Sequence, residues 1–294
     1  MGKTLVTCAS GTISSQLVTE LRQQGVDTRA GVRDTSKAQR LARLGAEVVA
    51  CDLDSASSLE EALDGVENLF LLSPFVEDMV PSLELAVRAA RAAGVRFILR
   101  ASASGANPNA ELPIAAQHGR CEGIVKESGI GWAILQPTFF QDNFLTAHKP
   151  ALLSQGTFYG ASGGGKTAYV STRDIAQVAA QILIAPSPHR GRTLVLTGPE
   201  ALGDAEAALV LSRALGKPVS FTSLTGEQYR QGLLQQGVPV WAANDLVGLE
   251  RVKAQGRAAS LARTVREMLG RPAESFAAYV ERNVDRFRAA KGRG

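Results

Sequence analysis

From the N-terminus to about residue 137, short apolar runs alternate with longer amphipathic stretches. Runs at 5–9, 28–32, 47–51, 68–72, 96–101 and 132–136 predict strands. Several are apolar almost throughout, as in parallel strands covered on both faces. Between them, Ile13, Leu17 and Leu21 recur at four-residue steps ahead of Gly25. Val80, Leu83 and Val87 form a second stripe, with Pro81 near its start and Gly94 at its end. Both patterns predict helices with their usual stop signals. Strands and helices in this alternation make an α/β fold with a doubly wound parallel sheet. Right-handed crossovers then align the strand C-termini along one edge, where a crevice opens at the switch in strand order.

After Pro137 the rhythm changes. Isolated strands are expected at 157–159, 193–196 and 219–221, and a helix beginning near Asp174 carries Ile175, Val178, Ile182 and Leu183. A terminal helix presents Phe276, Val280, Val284 and Phe287 at near-helical spacing, the pattern of an apolar face docked on the body. The expected division is a core at 1–150 and a smaller C-terminal α/β lobe at 151–294, lying over the strand edge as a substrate lobe. Residues 160–167, Gly-Ala-Ser-Gly-Gly-Gly-Lys-Thr, match a phosphate-binding P-loop letter for letter. A P-loop must follow a buried strand and open a helix. Here strand-like residues lie on both sides, so the segment reads as a hairpin with a glycine loop.

Composition narrows the classes. Of 294 residues, 45% are hydrophobic, 20% charged and 5% aromatic, with a net charge of +4. These are ordinary values for a soluble globular protein. The positive excess gathers in Arg282, Arg286, Arg288, Lys291 and Arg293. That density reads as a solvated helix face rather than a nucleic-acid or lipid surface, and the scattered aromatics make no stacking platform. Cys8, Cys51 and Cys121 show neither metal-ligand spacing nor a disulfide framework, which fits a reducing cytoplasm. No run is long enough to span a bilayer, and no signal peptide is expected. The sequence leaves a homodimer open.

The first strand runs into Thr7-Cys8-Ala9-Ser10-Gly11-Thr12-Ile13-Ser14 and then a helix. A glycine turn at this point lets backbone N–H groups and the helix N-terminus meet a pyrophosphate. The segment predicts a Rossmann-type dinucleotide site, with Cys8, Ser10, Gly11, Thr12 and Ile13 around the pyrophosphate. Only the middle glycine of the usual three is kept; the pattern is Cys8-x-x-Gly11-x-x-Ser14. About 20 residues on, an acidic residue would bind a ribose hydroxyl and an arginine a 2′-phosphate. Arg33 stands there with Lys37 a turn further on, which selects NADP(H). Asp34 is expected to cap the next helix.

With these segments in place, the chain resembles the NmrA-like, or atypical short-chain dehydrogenase/reductase, family over nearly its whole length. The resemblance rests on the loop, on Gly31-Val32-Arg33-Asp34, and on the segments 44–54, 93–98 and 128–137 with Phe140 and Asn143 following. Arg173-Asp174-Ile175-Ala176 and the segments 196–200 and 214–219 extend it. It implies that Asp52 and Leu53 lie beside the adenine, and that Ser73, Pro74 and Phe75 face the nicotinamide riboside. It also implies that Pro137, Thr138, Phe139 and Phe140 close over the nicotinamide, with Asn143 near the substrate. Cys8 and Ser14 depart from expected glycines, and Gln136 stands where an arginine is common in the family.

The chemistry is less standard. Ordinary short-chain dehydrogenases use a Tyr-x-x-x-Lys pair, and none of the four tyrosines here has lysine four residues on. By resemblance, the segment that should carry the pair reads Ile114-Ala115-Ala116-Gln117-His118. Quinone-reductase-like members of the family also have histidine there. His118 would hold a ribose hydroxyl or give a proton near neutrality, with a plain hydrogen-bonding role equally open. Ser102 is the candidate for a substrate oxygen. Phe75, Phe139, Phe140 and Phe144 suggest a flat, apolar small molecule, or else lobe packing. The expectation is an NADPH-dependent reductase of quinones, iminium ions or conjugated enones. Two alternatives stand beside it: a non-catalytic NADP(H) sensor of the NmrA type, and a non-redox enzyme that has lost cofactor binding.

Overall fold

A computed structural model describes residues 2–288. The chain forms two compact units, one of residues up to Pro137 together with Thr172–Leu196, the other of Thr138–Ser171 and the chain from Thr197 onward. The first unit runs β1 (Lys3–Val6), α1 (Thr12–Gln23), β2 (Thr28–Val32), α2 (Gln39–Arg43), β3 (Glu47–Ala50) and α3 (Ala56–Leu63). It continues through β4 (Val66–Leu71), α4 (Val80–Ala92), β5 (Phe97–Ala101), α5 (Pro113–Glu127) and β6 (Gly131–Pro137). The second unit then takes α6 (Asn143–Thr146), α7 (Lys149–Gln155), β7 (Thr157–Gly160) and β8 (Lys166–Thr167). The chain returns to the first with α8 (Thr172–Ile184) and β9 (Arg192–Leu196). It ends with β10 (Leu202–Gly203), α9 (Asp204–Leu215), β11 (Ser220–Ser223), α10 (Gly226–Gln235), α11 (Val240–Ala254), α12 (Thr264–Leu269), α13 (Phe276–Arg282) and α14 (Val284–Arg288).

The sheet of the first unit has the order β3-β2-β1-β4-β5-β6-β9, and every pairing is parallel. Its first six strands follow the Rossmann order, with the reversal between β1 and β4. All residues of β2 and β5 are buried, Arg29 and Arg100 included, whereas edge strand β3 is exposed at both ends. Helices α3, α4 and α5 cover one face through Leu59, Leu63, Leu83, Val87, Cys121 and Val125. Gly31 on β2 is required by close approach: a Cβ there would meet the Cys51 Cβ at 2.7 Å and Leu5 Cδ1 at 3.3 Å. Overpacking at such a site costs about 2 kcal/mol. Gly31→Val is therefore expected to lower the urea midpoint by that equivalent, and an unchanged midpoint would show that β2 and β3 separate freely.

Two expectations for the later chain need correction. The strand at 193–196 is not isolated in a lobe; as β9 it pairs with β6 and completes the sheet, and α8 packs on α1 of the same unit. The division therefore falls after Pro137 rather than at residue 150. A short edge strand with two exposed residues at its start carries no local mark of its partner. The hairpin is also absent: β7 pairs in parallel with β11, and β8 pairs antiparallel with β10.

The glycines between β7 and β8 serve packing. A Cβ on Gly165 would lie 2.1 Å from the Lys253 carbonyl oxygen of α11, and Lys166 is paired with Glu206 at 2.9 Å. Lys166 and Thr167 form strand β8 rather than a helix start, α8 opening only at Thr172, so the P-loop reading fails on geometry. The second unit's core gathers Phe144, Phe158, Tyr169, Leu211, Phe276, Val280 and Phe287. The expected apolar face of the terminal helix is thus buried, though split between α13 and α14. Arg282 grips Glu274 through two 2.7 Å bonds; Lys291 and Arg293 lie outside the described residues. No described helix is long and apolar enough to cross a membrane.

Candidate functional site

The strand-order reversal sets the two loops leaving β1 and β4 side by side. Thr7 accepts the Leu72 N–H at 2.9 Å, and the Cys8 thiol donates to the Leu72 carbonyl at 3.3 Å. Cys8 has φ 50°, the one non-glycine in left-handed backbone among the described residues. This is the conformation for which glycine is normally chosen. The Cys8 carbonyl accepts the Gly11 N–H at 2.8 Å and closes the turn.

Beyond it, Ser10, Gly11 and Thr12 are exposed, and the N–H groups of Thr12 and Ile13 have no acceptor among the described residues. Gly11 caps α1 without a side chain, and the first turn holds no acid. Free N–H groups at the start of a three-turn helix fit an anion. A Cβ on Gly11 would come within 3.1 Å of the Cys8 oxygen, so the loop fits a close-lying pyrophosphate despite its missing glycines. Ser14 fills the third glycine position with a buried hydroxyl that has no partner among the described residues, a local cost.

At the end of β2, Arg33 is exposed and unpaired among the described residues. Asp34 does cap the next turn, accepting Ser36 N–H at 3.0 Å, and holds Lys37 at 3.2 Å. Its bonds to Ser36 and Lys37 keep its carboxyl below the usual carboxylate range. Asp34 is thereby occupied and Arg33 left free. After β3, the Asp52 carboxylate accepts Asp54 N–H at 3.1 Å and Leu53 is buried. After β4, Ser73 has a buried hydroxyl without a partner among the described residues, and Phe75 is 47% exposed. Pro137 ends β6 and is buried.

His118 and Ser102 both lie in buried, electrostatically constrained surroundings. Burial first, and then the Arg100 guanidinium, push the His118 pKa down to about 3. His118 is neutral at pH 7 and cannot serve as an imidazolium acid there. Its Nδ1 is buried without a partner among the described residues. Ser102 is buried and donates to Glu122 Oε1 at 2.7 Å. Gln136 Nε2 donates to the same oxygen at 2.7 Å, while Lys126 holds Oε2 at 3.1 Å. In this structure the serine proton is directed to Glu122. Sequence reading missed Glu122 as the hub of this set and Arg100 as the charge behind His118. The available signal was an arginine inside the apolar run Phe97-Ile98-Leu99-Arg100-Ala101.

In the second unit, Phe139 is half-buried with the Lys253 ammonium 4.9 Å from its ring centroid. Lys253 is itself buried and pairs with Glu250 at 2.6 Å. Phe140 bridges Val170 through its backbone. The half-buried Asn143 has no side-chain partner among the described residues. Phe144 does not face a ligand. It is fully buried, with its ring 4.6 Å from Phe276 and 5.2 Å from Phe158. Spacing alone cannot tell a core phenylalanine from a ligand-facing one. Lys253 lies 5.7 Å from the Tyr169 ring, yet this is no substitute for a Tyr/Lys pair. The Tyr169 hydroxyl donates to Asp204 at 2.7 Å, and burial raises its pKa further.

With this geometry established, the chain was compared with known proteins. The NmrA-like family model matches residues 2–271. The NAD(P)H azoreductase of Xenophilus azovorans is 35% identical over 286 residues, covering 97% of this chain and 99% of that protein. Quinone oxidoreductase 2 of Escherichia coli (strain K12) is 32% identical over 250 residues, 85% of this chain and 86% of its own length. The crystal structure of an NADPH-dependent quinone oxidoreductase from Escherichia coli complexed with NADPH matches with a TM-score of 0.85 at 29% identity, covering 96% and 99% of the two chains.

Proposed function

This chain belongs to the NmrA-like family, and on that footing we propose that it is an NADPH-dependent oxidoreductase reducing a flat, conjugated small molecule such as a quinone or an azo compound. The observation that carries the reading is the open helix N-terminus at Gly11-Thr12-Ile13 with an unpaired Arg33 at the end of the next strand. Relatives named for NAD(P)H-dependent azo and quinone reduction support it.

In this proposal Cys8, Ser10, Gly11, Thr12 and Ile13 bind the pyrophosphate. Arg33 takes the 2′-phosphate with Lys37 behind it, and Asp52 and Leu53 border the adenine. Ser73, Pro74, Phe75 and Pro137 border the nicotinamide. Bound NADPH supplies the hydride. The protein adds position and exclusion of water, and not an acid: no Tyr-x-x-x-Lys pair is present and His118 is neutral. Acceptors that spread incoming charge by conjugation need little acid catalysis, which is why quinones and azo groups suit this site better than simple ketones. Free cysteines agree with action in a reducing cytoplasm.

Loss of NADPH absorbance with a panel of quinones, azo dyes and enones, and none with saturated ketones, is the expected result. Tight NADPH binding with no turnover across the panel would replace this reading with that of a dinucleotide sensor.

A further inference from the structure

Arg100 stands in the middle of the sheet's apolar layer and is fully buried. Its Nη1 donates to the Leu71 carbonyl at 3.1 Å, and its Nη2 meets the Met79 sulfur at 3.7 Å. The Nε–H has no acceptor, and no carboxylate pairs with this guanidinium among the described residues. Glu122, one residue beyond the neighbouring Cys121, is held by Lys126, Ser102 and Gln136. A guanidinium does not lose its proton at any ordinary pH. The first unit therefore contains a buried cation with no ion-pair partner in contact, the buried Glu122 carboxylate and the Cys121 thiol acting on it from close by, an arrangement that proteins normally avoid.

Its position gives it a use. Leu71 is the last residue of β4, and the next carbonyl, that of Leu72, takes the Cys8 thiol. The cation thus lies directly under the point where the nucleotide loop meets the end of β4. Its field reaches both neighbours: it lowers the His118 pKa and opposes the rise that burial imposes on the Cys8 thiol.

We infer that Arg100 is a buried counter-charge for the dinucleotide, favouring the anionic cofactor in general and its reduced form over its oxidised form. This rests on the NADPH reading above. The pyrophosphate adds negative charge to that of Glu122, which no contact ion pair delivers to Arg100. In NADP+ the cationic nicotinamide offsets part of that gain, and in NADPH it does not. A fixed cation behind the loop also accounts for binding with Cys8 and Ser14 in place of glycines. In a partly desolvated site a buried charge near an anion changes affinity by about tenfold.

The test is isothermal titration of the full chain with NADPH, NADH and NADP+, alongside thermal melting without ligand. Arg100→Met should weaken NADPH and NADH each by about tenfold, and NADP+ by less. Its ligand-free form should melt at or above the wild-type temperature, since an apolar side chain replaces an unpaired buried charge. Arg100→Lys should keep most of the affinity. A merely structural arginine would instead lower the melting temperature in both variants. Unchanged NADPH affinity in Arg100→Met, or an equal loss in Arg100→Lys, overturns the inference. Should Arg100→Met fail to fold, Arg100→Gln is read by the same criteria. A wild-type chain that binds no dinucleotide refutes the proposed function itself, whereas normal wild-type binding with an unaffected variant refutes this inference alone.

Discussion

Arg33→Ala is expected to weaken NADPH about a hundredfold and leave NADH within about twofold, because two charge-assisted bonds to one phosphate are worth about 3 kcal/mol together. The direction follows from how β2 ends. Arg33 is exposed and unpaired among the described residues, so binding a phosphate breaks no existing ion pair. The rival carboxylate is spent twice over, on the Ser36 N–H and on Lys37 at 3.2 Å. Asp34 is therefore not free to take a ribose hydroxyl in the manner of an NAD-selective site. Arg33→Lys should recover part of the affinity but not the paired geometry. Isothermal titration with both cofactors reads the result directly. An equal loss for NADPH and NADH would show that Arg33 holds the loop rather than the 2′-phosphate.

The first unit was legible because its elements announce themselves locally. Strand β5 is buried throughout and reads as an apolar run broken only by Arg100; α1 is amphipathic and follows a glycine turn; Asp34 caps in the way its spacing suggests. What the sequence hid were properties set by partners distant along the chain. Residues 192–196 look like any short strand, and only the free edge of β6 makes them part of the sheet. Ser102 looks available until Glu122, 20 residues away, takes its proton. Phe144 shares its spacing with Phe139 and Phe140, but the aromatic cluster of Phe158, Tyr169 and Phe276 claims it. The surroundings of His118 were hidden for a similar reason. An unperturbed imidazole titrates near neutrality, and nothing beside it in sequence reveals the cation on β5.

That same burial predicts a pronounced acid sensitivity. His118 is pushed down to about 3 by burial and Arg100, and His148 to about 4 by burial and Lys253, with Asp204 opposing. Both shifts lie below the ordinary histidine value of 6.5. The unfolded chain therefore takes up two protons that the folded chain refuses, and stability falls as pH drops below that value. The contribution is complete above the unfolded pKa and is lost as pH descends toward the folded ones.

Between pH 6.5 and 5 the loss from both histidines amounts to about 3 kcal/mol. That interval separates them from the acids. Glu47 and Glu206 also have lowered pKa values, through bonds to Arg29 and to Gly203, but their ordinary value is 4.5 and their contribution persists until lower pH. His189 is lowered as well, by burial and Arg192, and adds in the same direction. Urea titrations at pH 7, 6 and 5 should show the slope, and His118→Gln should remove about half of it. A wild-type stability that stays level over this range would mean that both imidazoles are hydrated, and would reopen His118 as a proton donor.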